Sequence, residues 1–342
     1  MAPPITASRR RLLARSLAVS GALAGAGLVP VHARRPHRSG AFPARPIRLI
    51  VPFAPGGSTD LLARLIARHL FEPSRAAAGH SVWVDNVAGA GGNTGAAMVA
   101  RAPADGHTLE IGAMSTHAMN AKLYRGLPFD PIQDFDTVAM LAYAINVIAV
   151  SADLPVHTFP ELLAYLRAHP GRVNYASGGV GTHNHLTLAL LAKTQQLDMV
   201  HVPYRGGGPA VAALLQGECQ LFAGGASLLL PHVPSGRVRL IAVTEGQRSA
   251  LLPDVPSVAE TLPGYEVTNW YGVFAPRGLD PAVRQQLNRE INRVTALPDV
   301  ARYLRSLGLM TSQLDADQAH AILQADQQLW SATIDGLGIH AE

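Results

Sequence analysis

Apolar positions along the chain follow two periods. Short runs in which nearly every residue is apolar and often β-branched mark strands buried on both faces. Between them, apolar residues recur every three or four positions, as on one face of a helix. Ile47–Pro52 is the first such strand, with Ile47, Leu49, Ile50 and Val51. Pro55-Gly56-Gly57-Ser58-Thr59 breaks it, and a helix follows with Leu62, Leu65, Ile66 and Leu70 on one face. The same reading places strands at Val82–Asp85 and Thr108–Ala113, a helix through Val99 between them and another near Ala118–Tyr124. The pattern then restarts with a strand at Asn146–Val150 and a helix at Phe159–Ala168, for which Thr158 and Glu161 form a capping box. Strands at Asn174–Ala176 and Val200–Val202 alternate with helices at His185–Leu191 and Ala210–Leu215. Gln220–Ala223 is a short strand ending in a Gly224-Gly225 turn, and Arg239–Val243 is the last strand of this set. Val267–Ala275 returns the chain to the first set. A helix capped by Asp280 with Pro281 at its first position follows, then helices near Val300–Leu307 and Asp317–Leu337.

Alternating strands and helices predict an α/β fold of two lobes. Each lobe is expected to hold a mostly parallel central sheet flanked by helices, with a cleft between the lobes. Residues 45–144 and 268–342 are assigned to lobe 1 and residues 145–267 to lobe 2, so the chain crosses between them twice. A body of about 300 residues suits two domains better than one core.

The N-terminus has a different character. Ser8-Arg9-Arg10-Arg11-Leu12-Leu13 is a positive segment, Ser16 to Val31 is a weakly apolar stretch rich in Ala and Gly, and Val31-His32-Ala33 offers small residues for cleavage. This is the form of a secretory signal peptide over residues 1–33, of Sec or twin-arginine type, and it places the mature protein in the periplasm. The apolar stretch is shorter than the ~20 residues a membrane span needs. Residues 34–44 are expected to form a disordered tail. The leader contains four arginines and no acid, so its removal takes the formal charge from +4 to zero. Three further arginines in the tail leave the folded body near −3. The basic character thus belongs to the targeting segment, and a nucleic-acid partner, which needs a basic face on the domain, is not expected. The single cysteine, Cys219, excludes an intrachain disulfide, and its apolar neighbours predict a buried thiol.

Candidate chemistry lies in the turns. A strand, a glycine-rich turn and a helix recur at Pro55–Asp60, Gly89–Gly95, Ser177–Thr182 and Tyr204–Pro209. Such a turn aims unpaired backbone N–H groups and the positive end of a helix at one spot, and glycine removes the Cβ that would hold a ligand away. The donors are neutral and suit a carboxylate, with Arg205 alone placed to add a full positive charge. Gly89-Ala90-Gly91-Gly92-Asn93-Thr94-Gly95 looks like a dinucleotide fingerprint, but it follows the second strand, and Ile111-Gly112-Ala113 puts no acid where a ribose would be held. No cofactor is expected. His183-Asn184-His185 lacks a third metal ligand at fixed spacing, so no metal is expected either. Ser58 and Ser177 have no assignable base, and neither a nucleophile elbow nor a phosphate-binding lysine loop occurs, so no catalytic residue is assigned. Trp270 and Tyr271 stand where they could wall the cleft or fill the core.

These residues carry a resemblance. Pro46 through Gly57 with Asp60, Gly89-Ala90-Gly91-Gly92-Asn93, Asn120 with Leu123-Tyr124, and Leu127 through Pro131 with Asp134-Phe135 resemble the Bug family, the substrate-binding proteins of tripartite tricarboxylate transporters. Tyr175 through Gly178, Gly181-Thr182, His185-Leu186, Val202 through Gly206, Pro209-Ala210, Arg239 through Thr244, Leu252 through Pro256 and Trp270-Tyr271-Gly272 continue it to about Ile339. The resemblance implies a type II periplasmic binding protein whose lobes close over a carboxylate held largely by backbone amides. Its partners would be that ligand and the permease subunits, with the protein itself a monomer; some relatives serve instead as sensors. Mapped residue by residue, ligand contacts would come from Ala54, Pro55, Gly56, Gly57, Ser58 and Thr59 in lobe 1. Lobe 2 would add Ser177, Gly178, Gly179, Gly181, Thr182, Tyr204, Arg205, Gly206 and Gly207, with His185 bracing its turn. Val87-Ala88, Gln220 and Ala223-Gly224-Gly225 depart from the family pattern and leave the ligand's identity open. A periplasmic enzyme acting on a carboxylate is the alternative of another class.

Overall fold

The computed structural model describes residues 42–72 and 81–341. The expected signal peptide, the expected tail up to residue 41 and the charge assigned to them lie outside the described residues. From Phe42 onward the tail expectation is corrected. The Phe42 ring packs edge-on against Phe71 and His107, and its carbonyl accepts a 3.0 Å bond from Gln286 Nε2.

The first run of elements is β1 (Ile47–Val51), α1 (Ser58–His69), β2 (Val82–Asn86), α2 (Asn93–Ala100), β3 (Thr108–Ala113), α3 (Asn120–Leu123) and β4 (Phe135–Ala144). A π-helical turn at Ser115–Met119 leads into α3. The second run is β5 (Asn146–Ser151), α4 (Phe159–Ala168), β6 (Asn174–Ser177), α5 (His183–Gln195), β7 (Val200–Pro203), α6 (Gly207–Gln216), β8 (Leu221–Gly225) and β9 (Val238–Val243). The chain closes with β10 (Asn269–Pro276), α7 (Pro281–Ala296), α8 (Pro298–Ser306), β11 (Leu309–Thr311) and α9 (Ala316–Leu337).

Among the described residues, one sheet has the order β11-β4-β10-β3-β1-β2 and the other β7-β6-β8-β5-β9. The sheets are mixed rather than mostly parallel. β1 is parallel to β2 and β3, and β6 to β7 and β8, whereas β10 pairs antiparallel with β3 and β4, β11 with β4, and β5 with β8 and β9. The cause is the lobe crossing. A strand arriving from the other lobe enters where the parallel strands finish, so the start of β10 pairs with the end of β3 (Tyr271 with Ala113), and the start of β5 with the end of β8 (Asn146 with Gly225).

The alternation of strand side chains separates the packing layers. Leu49 and Val51 face the layer formed with α1, α7 and α8, while Ile50 faces the opposite one. That opposite layer continues through Trp270 and Trp330 into the second lobe under α4 and α5. Three sequence expectations change. β4 was not foreseen, because its Ala, Met and Leu content suits a buried helix as well as a strand. Gly224-Gly225 is the end of β8 rather than a turn. The Thr158 side chain does accept from Glu161 N–H, but the Glu161 carboxylate takes its 2.7 Å bond from His157 N–H, one residue earlier than a capping box requires.

Candidate functional site

The first-lobe turn is organised by Asp60. This buried carboxylate accepts from Gly56 N–H (3.0 Å), Arg64 Nε (3.0 Å) and Asn86 Nδ2 (3.0 Å), and Asn86 also donates to Phe53 O (3.1 Å). Burial alone would raise its pKa. The bonds from Arg64, Gly56 and Asn86 outweigh burial and hold it below the usual carboxylate value. Gly56 sits at φ +92°, and Gly57 is the N-cap of α1 in an extended conformation that any residue can adopt. No side chain caps α1. Gly57, Ser58 and Thr59 therefore present N–H groups with no acceptor in the helix. A Cβ added at Gly56 or Gly57 would meet nothing within 4 Å, so the space before these donors is open.

Two turns of the second lobe lie side by side. Gly206 N–H donates to Gly178 O (3.1 Å), and a Cβ at Gly178 would stand 3.2 Å from the Gly206 carbon and the Gly207 nitrogen. Gly178 is thus required for the approach of one turn to the other, and Gly206 (φ +114°) for the bend itself. No side chain caps α6, and the Thr182 hydroxyl donates to Gly179 O (2.7 Å) instead of capping α5. Arg205 is exposed and makes no ion pair among the described residues.

Not every amide in the expected set is available. Gly56 donates to Asp60, Gly179 to Ser177 Oγ (3.1 Å), Gly181 to His185 Nδ1 (3.1 Å), Thr182 to Gly179 O (3.3 Å), Tyr204 to Ser177 O (2.9 Å) and Gly206 to Gly178 O. Ala54, Gly57, the first-turn residues of α1, Gly178, Arg205 and Gly207 remain without an acceptor among the described residues. His185 does brace its turn.

Two contacts between the lobes border these turns. Ser58 Oγ lies 3.0 Å from Ser227 Oγ, on the 3-10 turn Ala226–Leu228 that follows β8. The Tyr271 hydroxyl also bonds the Ser58 side chain and lies 3.4 Å from Asn269 Nδ2, while burial pushes its pKa up. Leu228 fills the space a Cβ at Gly207 would need. At the other margin Leu123 is seated on Gly181, so closely that a Cβ there would lie 1.7 Å from Leu123 Cδ2. Tyr271 thus reaches the cleft. Trp270 is fully buried, with Nε1 donating to Asp326 Oδ2 (2.6 Å), and belongs to the core. Ser227 and Leu123 were not assigned from sequence; the only signal for Ser227 was the atypical Ala223-Gly224-Gly225 lining before it.

The fourth glycine-rich turn does not share this openness. Cβ atoms at Gly91 and Gly92 would strike the Tyr124 hydroxyl (2.5 Å) and Thr116 Cγ2 (2.4 Å), and Asn120 Nδ2 donates to Gly91 O (3.1 Å) and Asn93 Oδ1 (2.6 Å). Its glycines serve internal packing, which takes this turn out of the expected set of four.

Behind the cleft the two crossings are joined. His183 Nε2 lies 2.8 Å from Thr268 O and 3.4 Å from Asn146 Nδ2, and burial lowers its pKa to about 4. Thr244 N–H donates to Asn146 O (3.0 Å), Val267 N–H to Thr244 O (2.8 Å) and Asn146 N–H to Glu245 Oε1 (2.8 Å). Burial raises Glu245 to about 7, with the charge of Glu266 acting in the same direction. No group of three His, Cys, Asp or Glu residues placed to hold a metal occurs among the described residues, and none of their helices is long and apolar enough to cross a membrane.

Residues 66–339 match the profile of the family described as Tripartite tricarboxylate transporter family receptor. The chain is 38% identical over 315 residues to a UPF0065 protein from the tcbD-tcbE intergenic region of Pseudomonas sp. (strain P51), covering 91% of this chain and 92% of that one. Among solved structures it is similar to R. palustris Rpa4515 with adipate (TM-score 0.82, 32% identity, 87% of this chain and 99% of that one). It is also similar to MatC (Rpa3494) from Rhodopseudomonas palustris with bound malate (TM-score 0.79, 31% identity, 86% and 100%).

Proposed function

The chain belongs to the receptor family of the tripartite tricarboxylate transporters, and from that premise we propose that it captures a small carboxylate between its lobes in the periplasm and delivers it to such a transporter's permease. The observation that carries this reading is the set of unpartnered, uncapped helix-start amides bordering open space in the first lobe and adjoining Gly206 in the second. Each helix N-terminus favours an anion by ~0.3–1 kcal/mol, and each hydrogen bond to a charged group contributes ~1.5–3 kcal/mol. Four or five such bonds, after the cost of immobilising a small ligand, give about −8 kcal/mol, a micromolar Kd. Arg205, exposed and without an ion pair among the described residues, is the cation available to a second carboxylate. The adipate and malate of the two related structures make dicarboxylates the first ligands to try.

The reading requires closure without turnover. Ser177 does have a histidine beside it, contrary to the sequence expectation, since His201 Nε2 lies 2.6 Å from its Oγ. That hydroxyl is fully buried, and no carboxylate bonds His201 among the described residues. Titration calorimetry against mono-, di- and tricarboxylates and acidic amino acids is expected to find a 1:1 ligand among them. Binding of neutral sugars or cations alone would overturn the carboxylate reading.

A further inference from the structure

We infer that His201 is a positioning residue for the 177–182 loop, and that it and His185 hold the loop in its ligand-receiving shape through two acceptor nitrogens. The inference deepens the proposed function and rests on it for its link to carboxylate binding. The geometry of the loop stands apart from that link.

His201 lies on β7 opposite Tyr175 of the parallel strand β6, and Ser177 is two residues further along β6 on the same face. His201 Nε2 thereby comes within 2.6 Å of Ser177 Oγ. That oxygen accepts from Gly179 N–H at 3.1 Å, so its one proton must go either to His201 or to Gly179 O, 3.0 Å away. Gly179 O already receives the Thr182 hydroxyl at 2.7 Å and Thr182 N–H at 3.3 Å. We place the proton on the His201 side, where the contact is shorter (2.6 Å against 3.0 Å) and the acceptor less crowded, which makes His201 Nε2 an acceptor and puts its ring hydrogen on Nδ1. His185 has the opposite arrangement. Its Nδ1 accepts from Gly181 N–H at 3.1 Å, so its ring hydrogen is on Nε2.

The two rings stack with centroids 3.9 Å apart and planes 16° from parallel, and the Tyr175 ring lies 4.9 Å from His201. Both must be neutral to accept. Their surroundings favour that state: burial lowers both to about 4, and for His185 the charge His201 would carry acts in the same direction. Tyr175, the other titratable ring on the stack, is pushed up by burial to about 12 and is neutral as well. The two bonds fix Gly179 and Gly181 on either side of Val180, whose side chain is 42% exposed. Gly181 is also where Leu123 of the first lobe lands. One stack of rings thus shapes the loop and the seat on which the opposite lobe rests.

The test begins on the wild-type protein at pH 7. Imidazole nitrogen shifts in NMR should show His201 as the Nδ1–H tautomer and His185 as the Nε2–H tautomer. His201→Phe keeps the stack and removes the acceptor. Hydrogen exchange at the Gly179 amide should then rise about tenfold, with a loss of similar size in affinity for adipate or malate. His201→Gln, which carries an acceptor at a similar reach, should restore Gly179 protection. A charged or Nε2–H His201 in the wild type, or unchanged Gly179 exchange in His201→Phe, overturns the inference. If His201→Phe does not fold, the wild-type tautomers decide. If the wild type binds neither probe, the dicarboxylate reading fails, while tautomers and exchange still judge His201.

Discussion

The first lobe contains two glycine-rich turns of the same design, each leaving a parallel strand and opening a helix, and they do different things. At Gly56 and Gly57 the absent side chains leave space open to solvent before uncapped amides. At Gly91, Gly92 and Gly95 the absent side chains leave space that Tyr124, Thr116, Phe53 and the Pro52 and Val87 backbone occupy. Glycine leaves room open in one turn and seats a neighbouring part of the same lobe in the other. Capping does not separate the two turns: α1 and α2 both start without a side-chain cap, as do α3, α5, α6 and α8, whereas α4, α7 and α9 are capped by Thr158, Asp280 and Asp315. What differs is the space in front of the amides.

The largest effect that separates the two turns is expected from Gly57→Val. The extended backbone accepts valine, yet the added methyls would stand over the donors of α1. Loss of two bonds to a charged group, about 1.5–3 kcal/mol each, predicts an affinity loss of roughly a hundredfold or more by calorimetry. The unfolding midpoint should stay at the wild-type value. Wild-type affinity would remove this turn from the site. Gly95→Ala should do the reverse. Its Cβ would lie 2.9 Å from Pro52 Cα and Val87 O, backbone atoms that yield little, so denaturant unfolding should show a loss of about 1–3 kcal/mol. Its affinity should remain near wild type.

The smallest effect is expected away from both turns, at Glu245. Its folded pKa, about 7, exceeds its unfolded one, so the folded state holds the proton longer. Its contribution is fully present below the unfolded value and is lost as pH rises through about 7. His183, His185 and His201 have folded values of about 4, so their contributions are lost as pH falls below about 6.5. Glu245→Gln should therefore remove a decline of order 1–2 kcal/mol in stability between about pH 5 and 8 and leave the acid limb intact. Urea midpoints across that range check it, and an unchanged alkaline slope would rule Glu245 out as its source.

Strands and helices with clear periodicity were legible in the sequence, as were the glycine-rich turns after β1, β6 and β7, each opening a helix. β4 was hidden by residues equally at home in a helix. Which glycine turn is open was not legible, because that depends on Tyr124 and Thr116 folding back onto Gly91 and Gly92 from more than twenty positions away. Nor was the division of amides into available and occupied, which is decided by Asp60 and His185. The Ser177–His201 pair escaped for a related reason: it follows from the register between β6 and β7, which no local spacing encodes.

Thr244 ties the two strands that run between the halves of the molecule, its N–H donating to Asn146 O at the start of one and its O accepting from Val267 N–H just before the other. Two ropes knotted at one place cannot slide past each other; they twist together. A tie at one place suits opening and closing about that place, like a jaw on a pin. For a ligand held under the proposed closure, dwell time would then depend on how often the pin turns as well as on the strength of the grip.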